Sequence, residues 1–305
     1  MNNKVALGKF YTVISPFKGK AWDEFSKIIK EKETILEPFA GSNNIPKMLS
    51  SYSWTSYDIK PDEESVIQRD TLKNFPTGYR IAITNPPYLD VRTARQKKLP
   101  YNSEYSDLYL ESIKVMLDNC DYIAAIIPAT FINKKVFKER LWMWDRIDKK
   151  IFSDTGASVG VAYFCKEKIK KTKLFLNGNE VPEGLKIIKG KNTKFNCEEA
   201  NLTACLIDST SKKTIELRTT EGFNFEKYLD PLSRYYVALR DERISYDDID
   251  AINNLIKDWR EKTNDYYLSP FKSTLPDGTY RKRMSFGQLS GIIDLYVEKT
   301  ISLQN

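Results

Sequence analysis

The sequence of 305 residues lacks histidine altogether. This absence excludes Ser-His-Asp triads, Cys-His dyads and every zinc site that uses a histidine ligand. The four cysteines include no Cys-x-x-Cys pair, so we expect reduced thiols and no bound metal. No stretch of about 18 apolar residues occurs, and the N-terminus has no apolar signal-peptide core. We therefore expect a cytoplasmic protein without a membrane span.

The charge is distributed unevenly along the chain. The formal net charge is +7, and residues 166–220 hold twelve Lys/Arg against seven Asp/Glu, whereas residues 221–305 hold twelve against fourteen. Most of the excess lies between Lys166 and Lys194. This balance permits nucleic-acid binding without demonstrating it, and a solvated lysine-rich surface is an equally good interpretation.

Short apolar runs alternate with helical patterns as far as Cys165. The apolar runs predict strands at 34–38, 54–59, 81–84, 122–127 and 159–165. The helical patterns predict helices at 21–32, 107–117 and 134–141. This alternation predicts an α/β fold with a mostly parallel, doubly wound sheet. After residue 165 the pattern changes to short strands and loops, followed by predicted helices at 246–262 and 286–301. We therefore predict two domains, 1–165 and 166–305, the second being smaller and of α+β type.

The tetrapeptide Asn85-Pro86-Pro87-Tyr88 directly follows the apolar run at 81–84. Ligands of open α/β sheets bind at the carboxyl ends of the strands. Two consecutive prolines fix two φ angles and remove two donors, so the carbonyl of Pro86 is presented rigidly as an acceptor. Together with the amide oxygen of Asn85 and the ring of Tyr88, it suits an amino group attached to an aromatic heterocycle. The competing interpretation is a proline turn that only ends the strand.

Such a site addresses the poor nucleophilicity of an adenine amino group, whose lone pair is delocalised into the ring. Two acceptors that hold its two hydrogens favour a pyramidal nitrogen with a localised lone pair. This nitrogen can attack a sulfonium methyl group without a strong base, because the catalysis comes from positioning and preorganised electrostatics. The absence of histidine is consistent with this mechanism.

A small-residue loop and two acids precede the tetrapeptide. The segment 37–44 follows a predicted strand; its Gly41 permits a tight turn, and Glu37 is placed to meet a cationic amino group. This acidic loop suits an amino-acid zwitterion better than a pyrophosphate. Asp58 ends the next strand, where an acid commonly binds a ribose diol, and Asp70 is a candidate acceptor for an adenine amino group. Taken alone, Asp58 is better explained as a surface residue that caps a loop.

With these motifs in this order, the chain resembles the DNA methyltransferases that methylate the N6 amino group of adenine, in the subgroup with a C-terminal target-recognition domain. The resemblance covers roughly residues 8–165. It implies a Rossmann-like methyltransferase sheet of seven strands, the last antiparallel, and S-adenosylmethionine as the cofactor. The implied catalytic residues are Asn85, Pro86, Pro87 and Tyr88. The implied cofactor-binding residues are Thr12, Glu37, Pro38, Phe39, Ala40, Gly41, Asp58, Ile59, Asp70, Thr71 and Asn85.

One position departs from the family pattern. Asn43 stands where the cofactor loop of this family commonly has a second glycine. Because asparagine tolerates a positive φ, we expect the loop to turn nonetheless.

The resemblance also implies double-stranded DNA as the partner, with the target adenine flipped out of the helix. Tyr88 and Phe152 are expected to stack on the flipped base; for Phe152 the competing interpretation is a core phenylalanine. We interpret segment 89–105 as a mobile loop that binds DNA phosphates through Arg92, Arg95, Lys97 and Lys98. An ordinary solvated loop is the alternative.

Residues 166–305 are expected to read the target sequence. Base-edge readout often uses arginine and lysine. The candidates in this segment include Arg218, Arg240, Arg281, Lys282 and Arg283. We expect a monomer that is part of, or related to, a restriction-modification system, with any cognate endonuclease acting separately.

Other functions are compatible with the tetrapeptide. Glutamine methyltransferases that modify release factors use the same Asn-Pro-Pro-Tyr motif, but they carry extra helices before the cofactor loop and little after the catalytic half. Here about 140 residues follow Cys165, which favours nucleic acid as the substrate. Methylation of adenine in RNA and a catalytically silent DNA-binding module are the further alternatives. The silent module is disfavoured by four intact residues, namely Glu37, Asp58, Asn85 and Tyr88.

Overall fold

The computed structural model describes residues 12–99, 101–152, 158–187, 189–197, 199–224 and 235–304. The chain divides into two compact units between Glu180 and Val181. This division lies after the predicted boundary at residue 166, because the strands at Lys173–Leu176 and Asn179–Glu180 extend the sheet of the first unit. Within the described residues, no helix is both long and apolar enough to cross a membrane.

The described part of the first unit contains a nine-stranded sheet in the order β3-β2-β1-β4-β5-β7-β6-β8-β9. Strands β1 to β5 run parallel to one another, whereas β7 is antiparallel to both β5 and β6. The strands are β1 Thr34–Glu37, β2 Ser53–Asp58, β3 Ile67–Gln68, β4 Ile81–Thr84, β5 Tyr122–Pro128, β6 Leu141–Ile147, β7 Val159–Phe164, β8 Lys173–Leu176 and β9 Asn179–Glu180.

The predicted α/β class and doubly wound sheet are confirmed, and seven strands with an antiparallel β7 lie before residue 165. Strands β8 and β9 add an edge that the expected seven strands do not include; β8 is parallel to β6, and β9 is antiparallel to β8. Five of the seven, namely β1, β2, β4, β5 and β7, match predicted apolar runs to within a residue or two.

Helices cover both faces of this sheet. The described α-helices of this unit are α1 Gly19–Ser26, α2 Asn44–Met48, α3 Val91–Gln96 and α4 Leu108–Asn119. Side chains alternate along β5: Ala124 and Ile126 face a core shared with Phe25 of α1, whereas Ile123 points to the opposite face. There α4 packs against β5 and buries Ile113. A strand buried on both faces has the continuous apolar sequence that predicted it.

One predicted helix, at 134–141, is wrong. This stretch contains a short 3-10 turn, Lys138–Arg140, and then enters β6. The charged pair Asp145 and Arg146 interrupts the apolar pattern of β6, although both residues are buried. Asp145 accepts a hydrogen bond from the Gly178 amide at 3.0 Å, and its burial raises the pKa of the carboxyl to about 7. A buried carboxyl that can stay protonated is thus compatible with a core strand.

The second unit combines two small sheets with two long helices. The helices are α5 Ile249–Thr263 and α6 Phe286–Gln304, and both were predicted. Its described strands form a four-stranded sheet in the order β10-β13-β11-β12 and a β14–β15 hairpin. They are β10 Lys194–Phe195, β11 Leu202–Cys205, β12 Glu216–Arg218, β13 Tyr236–Arg240, β14 Ser269–Thr274 and β15 Tyr280–Arg283.

Candidate active site

The candidate site lies at the carboxyl ends of neighbouring parallel strands. Glu37 ends β1, Asp58 ends β2, and Thr84 ends β4 immediately before the tetrapeptide. Since β1 pairs with both β2 and β4, these three residues are brought to one edge of the sheet. This is the edge at which open α/β sheets bind their ligands.

The loop after β1 turns through two residues in the left-handed region. Gly41 has φ +52°, and Asn43 has φ +56°. Asn43 therefore adopts the conformation for which a second glycine is ordinarily used. Its amide oxygen also accepts a hydrogen bond from the Ser56 hydroxyl at 2.7 Å, which ties the loop to β2. The expectation that the loop still turns is confirmed.

Glu37 is a buried acid, with 1% of its surface exposed. Its Oε1 accepts a hydrogen bond from the Thr84 hydroxyl and another from the Phe39 amide, the latter at 3.2 Å. Burial raises the pKa of this carboxyl to about 8; the two hydrogen bonds lower it, and the neighbouring Asp58 carboxylate raises it further. Two neighbouring buried acids favour the binding of a positively charged group at this edge of the sheet.

Asp58 holds the loop, and both of its carboxylate oxygens accept backbone hydrogen bonds. Oδ2 accepts from the Gly41 amide at 2.9 Å, and Oδ1 accepts from the Lys60 amide at 2.8 Å. The next residue, Ile59, is 58% exposed, which places an apolar side chain on the surface beside this acid. A flat apolar group bound here would cover Ile59 while a polar group meets Asp58.

The segment at 70–71 is joined to the same loop. The buried Thr71 hydroxyl donates to the carbonyl of Pro38 at 2.9 Å. Asp70 is partly exposed, and its Oδ2 lies 3.4 Å from Lys73 Nζ. The predicted cofactor residues from Glu37 to Thr71 therefore form one contiguous group, in which Pro38 and Gly41 are buried and Phe39 and Ala40 are half-buried.

Asn85 is half-buried, and the orientation of its amide is fixed from both ends. Its Oδ1 accepts a hydrogen bond from the Tyr88 hydroxyl at 2.7 Å, and its Nδ2 lies 3.5 Å from Thr12 Oγ1. The carbonyl of Ile126 in β5 is also 2.7 Å from the Tyr88 hydroxyl, so the two acceptors share its single proton. A neutral amide oxygen can accept two hydrogen bonds, so its bond with Tyr88 is compatible with a second donor.

The aromatic residues around the tetrapeptide form an edge-to-face cluster. The Tyr88 ring is 6.4 Å from Phe152 and 6.2 Å from Tyr109, at interplanar angles of 73° and 82°. Phe152 is 1% exposed and belongs to the core of the first unit. In this state Phe152 therefore has the character of a core phenylalanine, and Tyr88 is the half-buried ring of the pair.

The basic segment after the tetrapeptide is partly helical, so the expectation of a simple loop is corrected. Helix α3 is capped by Asp90, whose side chain accepts from the Arg92 and Thr93 amides, and it buries Ala94. Backbone hydrogen bonds between 91 and 106 and between 108 and 89 close the base of the segment. The four predicted phosphate-binding side chains are exposed on it: Arg92, Arg95, Lys97 and Lys98.

The cations proposed to read bases differ in their exposure. Arg281 and Lys282 are 5% and 3% exposed, and Arg281 is within 5.3 Å and 5.4 Å of the Tyr235 and Phe271 rings. These two residues are therefore part of the fold of the second unit, which corrects their candidacy as base readers. Arg218 and Arg240 are accessible but paired with glutamates. Arg283 is half-buried in β15.

Sequence reasoning missed two residues of the site. Thr84 donates to Glu37, and Asn44 donates through Nδ2 to the carbonyl of Thr12 at 3.1 Å. Thr84 lies directly before the tetrapeptide and Asn44 lies within the cofactor loop, but neither position signals its partner 47 or 32 residues away. For Thr84, the only signal in the sequence was a polar residue at the end of an apolar strand.

No protein-family model and no curated protein matches the chain. Solved structures with a similar arrangement include a putative class I S-adenosylmethionine-dependent methyltransferase from Listeria monocytogenes (14% identity, 54% of this chain and 67% of that chain, TM-score 0.38). A type I restriction-modification methyltransferase subunit from Streptococcus thermophilus is similar at 12% identity over 85% of this chain and 59% of that chain (TM-score 0.40).

A third similar structure is a DrdV–DNA complex, at 12% identity over 57% of this chain and 28% of that chain, with a TM-score of 0.43. The present chain thus spans less than two thirds of the second and third of these structures. At this level of similarity, function has to be judged from the residues of the chain itself.

Proposed function

We propose that the chain is an S-adenosylmethionine-dependent DNA methyltransferase that acts on the N6 amino group of adenine in double-stranded DNA. One observation supports this proposal above the others. The Asn-Pro-Pro-Tyr segment leaves β4 beside the buried carboxyl of Glu37 at the end of β1. A site for an aromatic amine and a site for a cationic ligand therefore share one edge of the sheet.

The residues around Glu37 fit S-adenosylmethionine, which supplies a methyl group on a sulfonium centre when it is bound. Glu37 would meet the ammonium group, and this contact would compensate the burial of the acid. Asp58 would accept from the ribose hydroxyls, and Ile59 would pack on the adenine ring. Asp70 and Thr71 would line the adenine end, while Phe39, Ala40 and Gly41 would allow close approach of the loop.

The tetrapeptide would hold the target amine. Asn85 Oδ1 and the carbonyl of Pro86 would each accept one amine hydrogen, which localises the nitrogen lone pair. Thr12 and Tyr88 would keep the Asn85 oxygen, rather than its nitrogen, turned toward the amine. Since this mechanism requires no strong base, it is compatible with a chain that has no histidine.

The target base would be flipped from the duplex and would stack on Tyr88. In the described state Phe152 is buried, so a stacking role for Phe152 requires the edge-to-face pair with Tyr88 to open. The four exposed cations of α3 and the two residues after it would bind phosphates without regard to sequence. We further propose that the second unit reads the target sequence, and that the monomeric protein belongs or is related to a restriction-modification system, with any endonuclease acting separately.

The test is transfer of a labelled methyl group from S-adenosylmethionine to duplex DNA of random sequence, followed by nucleoside analysis by mass spectrometry. N6-methyladenine is the expected product, and sequencing of the modified positions then gives the recognition sequence. Asn85→Ala is expected to abolish methyl transfer and to leave the far-ultraviolet circular dichroism spectrum unchanged. Asn119→Ala, at an exposed position on α4, is the matched control and should methylate normally.

Each alternative function gives its own result in the same assay. Transfer to single-stranded RNA but not to duplex DNA would identify an RNA enzyme, and transfer to a glutamine-containing peptide would identify a protein methyltransferase. Binding of DNA without transfer to any acceptor would indicate a silent module. Wild-type turnover by Asn85→Ala would remove Asn85 from the mechanism.

A further inference from the structure

We propose that Thr84 is a positioning residue for Glu37: its hydroxyl orients this carboxyl and keeps it available as an anion for a cationic ligand group. The inference rests on the proposed function for the identity of the ligand. It assigns a role to the residue just before the tetrapeptide, at a position with no expected function of its own.

Thr84 and Glu37 are in contact because they end two adjacent strands, β4 and β1. Thr84 is fully buried, and it ends β4, whose Ala82 is in register with Leu36 of β1. Its hydroxyl donates to Glu37 Oε1, the oxygen that also accepts from the Phe39 amide. Within the described residues, both hydrogen bonds to this carboxyl fall on Oε1, which leaves Oε2 for a ligand group.

The electrostatics give this contact a specific effect. Burial and the nearby Asp58 carboxylate raise the pKa of Glu37, whereas hydrogen bonds from Thr84 and Phe39 lower it, that from Thr84 more strongly. A hydrogen bond to a charged acceptor stabilises the charged form. The Thr84 hydroxyl therefore counteracts the burial that would otherwise hold Glu37 protonated and unable to pair with an ammonium group.

A purely structural role makes a different prediction. If the hydroxyl only satisfied a buried polar group, replacing threonine with the isosteric valine would change stability and leave the titration of Glu37 where it is. If the hydroxyl supports the anion, valine moves that titration to higher pH, and serine, which keeps the donor, restores it. The two roles are thus separated by a measurement on the ligand-free protein.

The experiment compares wild type with Thr84→Val, Thr84→Ser and Thr193→Val. Thr193 is the matched control, because it is a buried threonine that donates to the buried Asp241 at 2.9 Å in the second unit. The Glu37 carboxyl carbon is followed by NMR against pH, with Glu37→Gln assigning the resonance. Affinity for S-adenosylmethionine is measured by calorimetry from pH 6 to pH 9.

We expect Thr84→Val to titrate at higher pH and to bind S-adenosylmethionine about tenfold more weakly below pH 8, with a smaller loss at pH 9. Thr84→Ser and Thr193→Val should behave as wild type. A Glu37 titration that is the same in wild type and Thr84→Val would overturn the proposal, as would an equal loss of affinity at every pH.

Two further outcomes are informative. If Thr84→Val does not fold, Thr84→Ala removes the same hydroxyl with less steric demand, and the same titration decides. If wild type binds no S-adenosylmethionine at any pH but the titration shifts as expected, the proposed function fails while the effect of Thr84 on Glu37 stands.

Discussion

Replacement of Glu37 by glutamine removes a charge from the interior while keeping a polar group of nearly the same shape. The glutamine carbonyl can still accept from Thr84 and Phe39, the two donors that meet Glu37 Oε1. The variant therefore isolates the ionisation of Glu37 from its packing. In the ligand-free protein this ionisation is unfavourable, because the carboxyl is buried beside Asp58.

The magnitude follows from the pKa of Glu37, which rises from 4.5 to about 8 on folding. Between these values the native protein holds a proton that the unfolded chain has released, so its stability falls as pH rises. From pH 5 to pH 7 this linkage costs about 2.5 kcal/mol of unfolding free energy. Glu37→Gln lacks the linkage, so its stability relative to wild type should increase by that amount over the same interval.

Urea unfolding at pH 5, 6 and 7 measures this difference directly. Other buried acids, such as Asp145, are present in both proteins and cancel from the comparison. Glu63→Gln, which replaces an acid with a 39% exposed side chain, is the control and should show no such trend. Parallel pH dependence in wild type and Glu37→Gln would refute the argument. The same variant should bind S-adenosylmethionine more weakly at every pH above neutral, so stability and affinity should change in opposite directions.

Three more variants test other parts of the structure. Tyr88→Phe removes the donor to Asn85 and should lower kcat on the order of tenfold in methyl transfer. Tyr109→Phe removes a buried hydroxyl that has no hydrogen-bond partner among the described residues, and it should leave kcat unchanged. Arg260→Met removes the cation paired with the buried Asp208 and one of the two cations paired with the buried Asp265, which also contacts Lys213, and should cost about 3–5 kcal/mol in urea unfolding at pH 7; an unchanged stability would contradict this reasoning. Charge reversal at the four exposed cations of this segment, Arg92, Arg95, Lys97 and Lys98, should weaken binding to all duplexes alike and lower the salt dependence by about one unit per lost phosphate contact. Neither effect is expected if these cations are only solvated.

Local sequence patterns predicted the elements that carry the site. Strand β4 and the tetrapeptide are contiguous in the sequence, so an apolar run followed by two prolines located both. Strand β5 is buried on each face and therefore has an uninterrupted apolar sequence. The positive φ of Asn43 could also be anticipated, because asparagine is one of the few residues that accept it at low cost.

The features that were missed depend on contacts between distant residues. Strand β6 contains Asp145 and Arg146, two charged residue types that do not predict a buried strand. Asp145 can be buried because the distant Gly178 amide donates a hydrogen bond to it. Arg281 can be buried because it donates to the carbonyl of Asp208 and lies against two aromatic rings. These contacts cannot be predicted from the neighbouring lysine and arginine in the sequence. A cluster of cations in the sequence thus did not correspond to a cationic surface.

The buried acids of the two units differ in the charges that surround them. In the second unit the buried Asp208 and Asp265 are both paired with Arg260, and Asp265 is also paired with Lys213, so cations of the unit itself compensate these charges. In the first unit Glu37 receives hydrogen bonds from neutral donors, and its nearest charged influence is another acid, Asp58. A fold that only needed stability would lose nothing by neutralising Glu37. An acid at this position is advantageous when a positively charged ligand binds, because the contact then offsets the free-energy cost of burying the carboxylate. The site consequently favours a cation over a neutral ligand.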